Sequence, residues 1–433
     1  MPLVNRFIEY LSKYFKSIQF LGAIPILLNT IFVLFLYLFY KATSPVSIYF
    51  SSQLLLLNAS MLLIGFCEQF VHFYLRELAV GKHPPFFSKS IFVVSLFSVL
   101  FVLLFFVFSK EIVDLFFKNY HIDIKNSIEK FFCVGLIQVF FYPLNSILRS
   151  VLICHKIVLL SFIVNCIVPV FSILSLFGSF FLGLDSLFTI LIFQGFGSVL
   201  SFFILFVCAA KLFNKKFNFS DANVWPMLFN SVLMRASGSI YTLGNSFLIT
   251  SILSLLNPST FAIYSYIEKI WSAIFAAIVS GLQNIGIPRI SDFVLKKNKN
   301  GLLEYSKTYY KSTIIPLLLF FVSVAFVFFV LVNMSITSLM KELDPQFVFL
   351  LFSVLFISKI INLVVSIPVI IIQSMKKVHP FIVVNVLLFL FGLFYTKYYS
   401  SIVGLIILIS ILELLSICYY FLIIRKYFLK SKL

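Results

Sequence analysis

The sequence predicts an all-α integral membrane protein of about twelve transmembrane helices, in two six-helix halves around a central cavity. Three observations predict it. Of 433 residues, 61% are hydrophobic, 58 are Phe and only 11% are charged. A soluble core could not hide so much apolar surface behind so thin a polar shell, which excludes an ordinary water-soluble enzyme. The apolar residues fall in runs of about 20 or more, long enough to cross the hydrocarbon, and lack the alternation of barrel strands. The charges gather between the runs, and most of the 33 Lys and Arg fall on one side when spans are counted in order.

The elements follow along the chain. A basic, weakly amphipathic start from Arg6 to Lys16 precedes the first apolar run, at 18–40, which has no small-residue cleavage site and is expected to remain as a span. Further spans are expected at 46–75, 87–108, 128–150, 157–182, 186–210, 226–255, 260–286, 312–334, 346–373, 378–397 and 401–424. Inner segments then hold Arg76, Lys82, Lys89, Arg149, Lys156, Lys215, Lys216 and the basic cluster from Arg289 to Lys311, while the outer loops hold few, such as Lys41, Lys110 and Lys118. This bias places both termini in the cytoplasm of a multi-pass inner-membrane protein. The longest polar interruptions, Lys211 to Asn223 and Arg289 to Lys311, both lie inside, and the longest outer loop runs from about Ser109 to Ile128. The first interruption divides the chain into an N-terminal half 1–210, a linker 211–223 and a C-terminal half 224–433. Internal echoes back the division. His155-Lys156 with Phe162-Ile163-Val164-Asn165 is matched by Lys376-Lys377 with Phe381-Ile382-Val383-Val384-Asn385, and Ile48-Tyr49 is matched by Ile263-Tyr264 at a similar offset. Copies of a six-span unit share orientation, the parallel-repeat plan of transporters with a central cleft.

Charges inside hydrocarbon are costly and face protein or a wet cavity, so they are the informative positions. On the fourth span Gln138, Tyr142, Asn145 and Arg149 share one face; on the seventh, Ser231, Arg235, Gly238, Ser239, Thr242 and Asn245 do so. A polar helix face in lipid needs a lumen, the plainer alternative being that each Arg snorkels to the inner interface. Lys359, with Asn362 and Ser366, lies deeper, where snorkelling is harder. Glu268 and Lys269 are adjacent and point about 100° apart, so they look for different partners. Glu413, between Ser410 and Ser416, reads either as a carboxyl that exchanges a proton or as a neutral or paired group that only orders helices.

No phosphate-binding GxxxxGK loop, HExxH or GxSxG motif occurs, so neither ATP hydrolysis nor any other enzymatic activity, nor any cofactor, is expected. The six Cys, at 67, 133, 154, 166, 208 and 418, lack metal or disulfide spacing and read as small apolar residues. The five His fall in separate elements or loops and read as interface residues, so no metal is expected. The formal charge of +18 is topogenic, not a nucleic-acid footprint, since no basic-aromatic binding module accompanies it.

At the eighth span the sequence reads Tyr264-Ser265-Tyr266-Ile267-Glu268-Lys269, and beyond it Pro288-Arg289-Ile290-Ser291. With the twelve-span plan, these elements resemble the polysaccharide-transporter family, the Wzx-type flippases of lipid-linked oligosaccharides, within the multidrug/oligosaccharidyl-lipid/polysaccharide exporter superfamily. The sequence departs from many relatives at Asn245, where they carry an acid, and in lacking glycine from Lys41 to Tyr49. The resemblance implies translocation of undecaprenyl-diphosphate-linked oligosaccharide units across the bacterial inner membrane for O-antigen or another surface polysaccharide. It also implies membrane lipids, a polysaccharide polymerase and a chain-length regulator as partners, and a coupling ion, proton or sodium. The residues agree with that chemistry: Arg149, Arg235, Lys269 and Lys359, with Asn145, would form a cationic lumen for the diphosphate, and Glu268 or Glu413 would couple the ion. Two alternatives stand beside it, a cation-coupled multidrug exporter of the same superfamily and a membrane polymerase or ligase acting on lipid-linked sugars.

Overall fold

The computed structural model describes residues 24–67, 70–155, 157–182, 186–213, 223–256, 258–333, 345–375 and 379–429, and every described element is helical. Among the described residues, seven helices are long and apolar enough to cross a membrane and three shorter apolar helices accompany them. The chain is a multi-pass, all-α membrane protein. Helices suit this solvent because they satisfy their own backbone hydrogen bonds where water is absent.

The helices gather into two compact units, Leu27–Ala262 and one built on Ile263–Leu433. The first contains most of α1 (Ile24–Tyr40) and all of α2 (Ser44–Ile64), α3 (Phe70–Ala79), α4 (His83–Val107) and α5 (Ser109–Phe116). It continues through α6 (Ile122–Cys154), α7 (Val158–Asn165), α8 (Ile167–Leu182), α9 (Ser186–Leu212) and α10 (Trp225–Leu253). Here α6 is central and packs against α2, α4 and α9, while α8 packs on α9. Small residues permit the close approaches. A Cβ on Gly197 of α9 would lie 3.2 Å from the Val168 backbone of α8, and one on Gly135 of α6 would collide with Leu56 of α2. α10 packs against α2, α3, α5 and the turn Gly65–Cys67. On α4 the outward face is bare hydrocarbon, with Phe92, Leu96, Leu100, Leu103 and Phe106 exposed, as expected of a helix that meets lipid.

The second unit contains all but the first turn of α11 (Pro258–Leu295), then α12 (Lys299–Asn333), α13 (Pro345–Ser374), α14 (His379–Tyr398) and α15 (Ile402–Leu429). Its α13 and α14 pack on α15, and α12 on α13. Trp271 of α11 is fully buried among Phe321, Phe352 and Phe356, and its indole N–H donates to the Phe352 carbonyl at 3.1 Å.

Several expected spans are interrupted or extended. The span at 46–75 is split: α2 ends before Gly65, a 3-10 turn covers Gly65–Cys67 and α3 follows. The span at 157–182 breaks at Cys166 because Pro169 clashes with the carbonyl four residues earlier, at Asn165, where α7 stops. The loop expected outside, from Ser109, contains α5. The polar stretch Arg289 to Lys311 is mostly helix: α11 runs on to Leu295 and α12 begins at Lys299. Lys297 adopts a left-handed φ of 54° in the turn between them, and the Asn298 side chain accepts the Gly301 N–H at 2.9 Å. A side-chain cap of this kind lets polar sequence continue as helix beyond the apolar core. The basic start at Arg6 to Lys16, most of the linker 211–223 and the Lys376-Lys377 echo lie outside the described residues.

At one end of the first unit the core is aromatic. Phe70 and Tyr74 of α3, Phe86 and Phe87 of α4 and Phe213 after α9 are buried together with Leu148 and Val151 of α6. The His155 ring, just past α6, faces His83 and Phe213, with a nitrogen 2.8 Å from the Tyr74 hydroxyl. Burial holds the His155 pKa below its usual value.

Candidate functional site

The polar face of α6 is the spine of the first unit. Arg149 is half-buried, and its Nε donates to the Asn145 carbonyl at 3.2 Å, one turn earlier. An Nη1 N–H donates to Oδ1 of Asn165, at the end of α7. Asn145 is 8% exposed; its Nδ2 donates to the Ser198 carbonyl of α9 at 3.2 Å, and its buried Oδ1 has no hydrogen-bond partner. Neutral oxygens thus aim the guanidinium, and among the described residues it makes no ion pair. A cation held this way in a partly dry setting is a ready receptor for an anion.

About three turns along α6, Gln138 belongs to a network centred on Gln194 of α9. Gln194 Oε1 accepts from Gln53 of α2 at 2.9 Å and from Gln138 at 3.4 Å. Its Nε2 donates to the Tyr49 hydroxyl at 3.0 Å and to Ser172 Oγ of α8 at 2.9 Å. One amide therefore ties four helices with all its hydrogen-bonding positions in use. Gln194, Tyr49 and Ser172 are buried, whereas Gln53 and Gln138 are part-exposed. The sequence reading found Gln138 but not its partners. Their signal was available, since a glutamine inside an apolar run needs partners much as a charge does.

On α10 the Arg235 side chain lies outside the described residues, as do those of Ser239 and Thr242. At the two ends of that stripe, Ser231 is fully buried, and Asn245 has a buried Oδ1 with no hydrogen-bond partner. The next residue, Ser246, donates to Asn58 of α2 at 3.2 Å.

In the second unit Glu268 of α11 and Lys359 of α13 come together. Lys359 Nζ lies 3.1 Å from Glu268 Oε1 and donates to Ser272 Oγ at 2.9 Å, while Ser272 donates to the same Oε1 at 2.6 Å. The result is a closed ring of acid, hydroxyl and ammonium. Its charged members keep part of their side chains accessible, 25% for Lys359 and 33% for Glu268. The preceding residues Tyr264 to Ile267 are buried. Lys269, next along the helix, is half-buried and within electrostatic range of Glu268. Glu413 on α15 is only 4% exposed, between buried Ser410 and Ser416, and the Ser416 hydroxyl donates to the Glu413 carbonyl at 2.6 Å. The sequence-chosen residues therefore form a neutral pair with Ser272, a separately anchored arginine and a deeply buried acid.

Comparisons with known proteins agree with this architecture. No family model and no curated protein matches the sequence. Among solved structures, the lipid II flippase MurJ in an inward closed conformation is similar with a TM-score of 0.71 and 17% identity, over 96% of this chain and 89% of that one. The Vibrio cholerae MATE transporter VcmN in its bent form gives 0.63 at 14% identity, over 98% of each chain. A MOP-superfamily transporter from Pyrococcus furiosus, described as having a binding pocket of reversed polarity, gives 0.59 at 12% identity, over 97% and 96%. The chain has the fold these transporters share.

Proposed function

We propose that the chain is a flippase moving undecaprenyl-diphosphate-linked oligosaccharide units from the inner to the outer leaflet of the bacterial inner membrane, for O-antigen or another surface polysaccharide. Two six-helix halves, 1–210 and 224–433 joined by 211–223, alternate access to a shared cationic lumen. The observation that carries the reading is Arg149, held by Asn145 and Asn165 with no ion pair among the described residues. A guanidinium presents a rigid fork of donors that matches phosphate oxygens, and a lipid diphosphate supplies the missing charge. Arg235, Lys269 and Lys359 add to that field. The oligosaccharide uses amide and hydroxyl groups such as those near Gln138, and the lipid tail stays in the bilayer. Glu268 or Glu413 exchanges a coupling ion, proton or sodium. Both termini are cytoplasmic, and the exported units pass to a polymerase and a chain-length regulator.

In cells making a surface glycan through this chain, Arg149→Ala is expected to reduce export more than tenfold, in line with about 1.5 to 3 kcal/mol for a lost charge-assisted hydrogen bond. Lipid-linked units should accumulate on the inner leaflet, and Arg149→Lys should restore only part of the flux. Unchanged export in Arg149→Ala sinks the reading, and export of single units that stay unjoined points to a polymerase instead. One observation favours a second reading, a cation-coupled multidrug exporter: Glu413 is an acid buried in an apolar helix, a setting suited to binding a cation. That reading expects Glu413→Gln to abolish drug efflux while surface glycan stays at its normal level.

A further inference from the structure

We infer that Glu268 is a resident counter-anion, holding Lys359 between transport events and yielding it to a phosphate of the transported lipid. The inference rests on the anionic-lipid reading above and deepens it, turning a static ion pair into the exchange step of the site.

The geometry suits exchange. Lys359 has three N–H donors, and the ring uses two of them, toward Glu268 Oε1 at 3.1 Å and Ser272 Oγ at 2.9 Å. A third donor remains to meet an incoming oxygen before the resident contact breaks. The charged side chains are 25% and 33% accessible, so an arriving headgroup can reach them. A fully buried pair would resist separation strongly, whereas a part-exposed pair is worth little net and can be traded. The trade favours the newcomer, because a diphosphate brings more charge and more acceptor oxygens than one carboxylate.

Each displaced group retains a partner. Ser272 stands one turn beyond Glu268 on α11 and already donates to it at 2.6 Å, so the carboxylate keeps that hydrogen bond when Lys359 turns away. Lys269 lies within electrostatic range on the same helix. Glu268 is thus never stranded as a bare buried charge, the outcome that would make exchange prohibitive. The charge balance follows. With Glu268 and Lys359 paired, the ring is neutral; with a diphosphate on Lys359, the loaded site gains net negative charge. The loaded and return steps should therefore differ in their response to the membrane potential.

The test measures binding of farnesyl diphosphate, farnesyl monophosphate and farnesol to the full-length chain in nanodiscs of neutral lipid. Glu268→Gln should tighten diphosphate binding about tenfold by unmasking the ammonium, and Lys359→Gln should weaken it about tenfold. The double variant should behave like Lys359→Gln alone, because the gain needs the ammonium. Ser272→Ala, which keeps both charges and is the gentler change should Glu268→Gln fail to fold, should tighten binding about threefold by loosening the ring. The monophosphate should respond in the same direction but less, and farnesol should respond to none of the changes. Wild-type binding of the diphosphate with no tightening in either Glu268→Gln or Ser272→Ala overturns the counter-anion role and leaves the anionic-lipid reading standing. If wild-type protein binds the diphosphate no better than farnesol, the anionic-lipid reading fails and this inference fails with it.

Discussion

His155 shows how one side chain can set a pH response. Its ring meets the Tyr74 hydroxyl and faces His83 and Phe213, and burial favours its neutral form. The unfolded chain takes up a proton near the ordinary His value of about 6.5, before the native protein does. Stability is therefore full above that value and declines as pH falls toward the lowered native pKa. The melting temperature of purified protein should fall between about pH 7 and pH 5, and His155→Gln, whose amide can still meet Tyr74, should flatten that fall. A wild-type profile as flat as the variant's would refute the assignment. At this scale the sequence reading was partial. Glu268, Lys359, Arg149 and Glu413 stood out because charges are rare inside apolar runs. The pairing of Glu268 with Lys359 was not legible, since it joins helices far apart in the chain. The meeting of His83 with His155 and the role of Gln194 were hidden for the same reason.

At the scale of elements, the contact between α8 and α9 depends on a missing side chain. A Cβ on Gly197 would stand 3.2 Å from the Val168 backbone, which cannot swing aside as a side-chain tip can. Gly197→Leu should force the helices apart and destabilise the protein by about 2 kcal/mol or more, read as an earlier thermal transition in detergent. Gly178→Leu, on α8 where no atom lies within 4 Å of the added Cβ, should leave the transition in place. Equal effects from the two would show that the close approach is immaterial. The helices themselves were legible, because long apolar runs have one sound solution in lipid. Their interruptions were less so: the break after Asn165 turns on one proline, and the split after Ile64 on a three-residue turn. The extension of α11 to Leu295 is not legible in hydropathy, because polar sequence outside a membrane is as free to be helix as loop.

At the scale of the molecule, the composition announced a membrane protein, and the fold is that of MurJ and the MATE transporters. The halves expected from the sequence would meet at 211–223, whereas compactness groups α10 with the earlier helices, because α10 packs on α2 and α3. Echoes in a chain speak to repetition and not to which helices pack together, so the two divisions need not coincide. Orientation is the testable consequence of the charge bias. Single cysteines placed at Lys297 and at Lys118, in a version lacking the six native Cys, should differ in intact cells. A membrane-impermeant thiol reagent should label the second and spare the first. Labelling of both, or the reverse pattern, would overturn the assignment.

The length of α11 has a consequence of its own. At about 1.5 Å per residue, its 38 residues reach about 57 Å, and the 35 of α12 about 52 Å, against a hydrocarbon slab of about 30 Å. Part of each helix must therefore lie outside the hydrocarbon, and the turn that joins them, with its Lys296, Lys297 and Lys299, is the polar end expected to do so. A nanobody raised against that turn should therefore bind the full-length protein in a nanodisc without entering the bilayer.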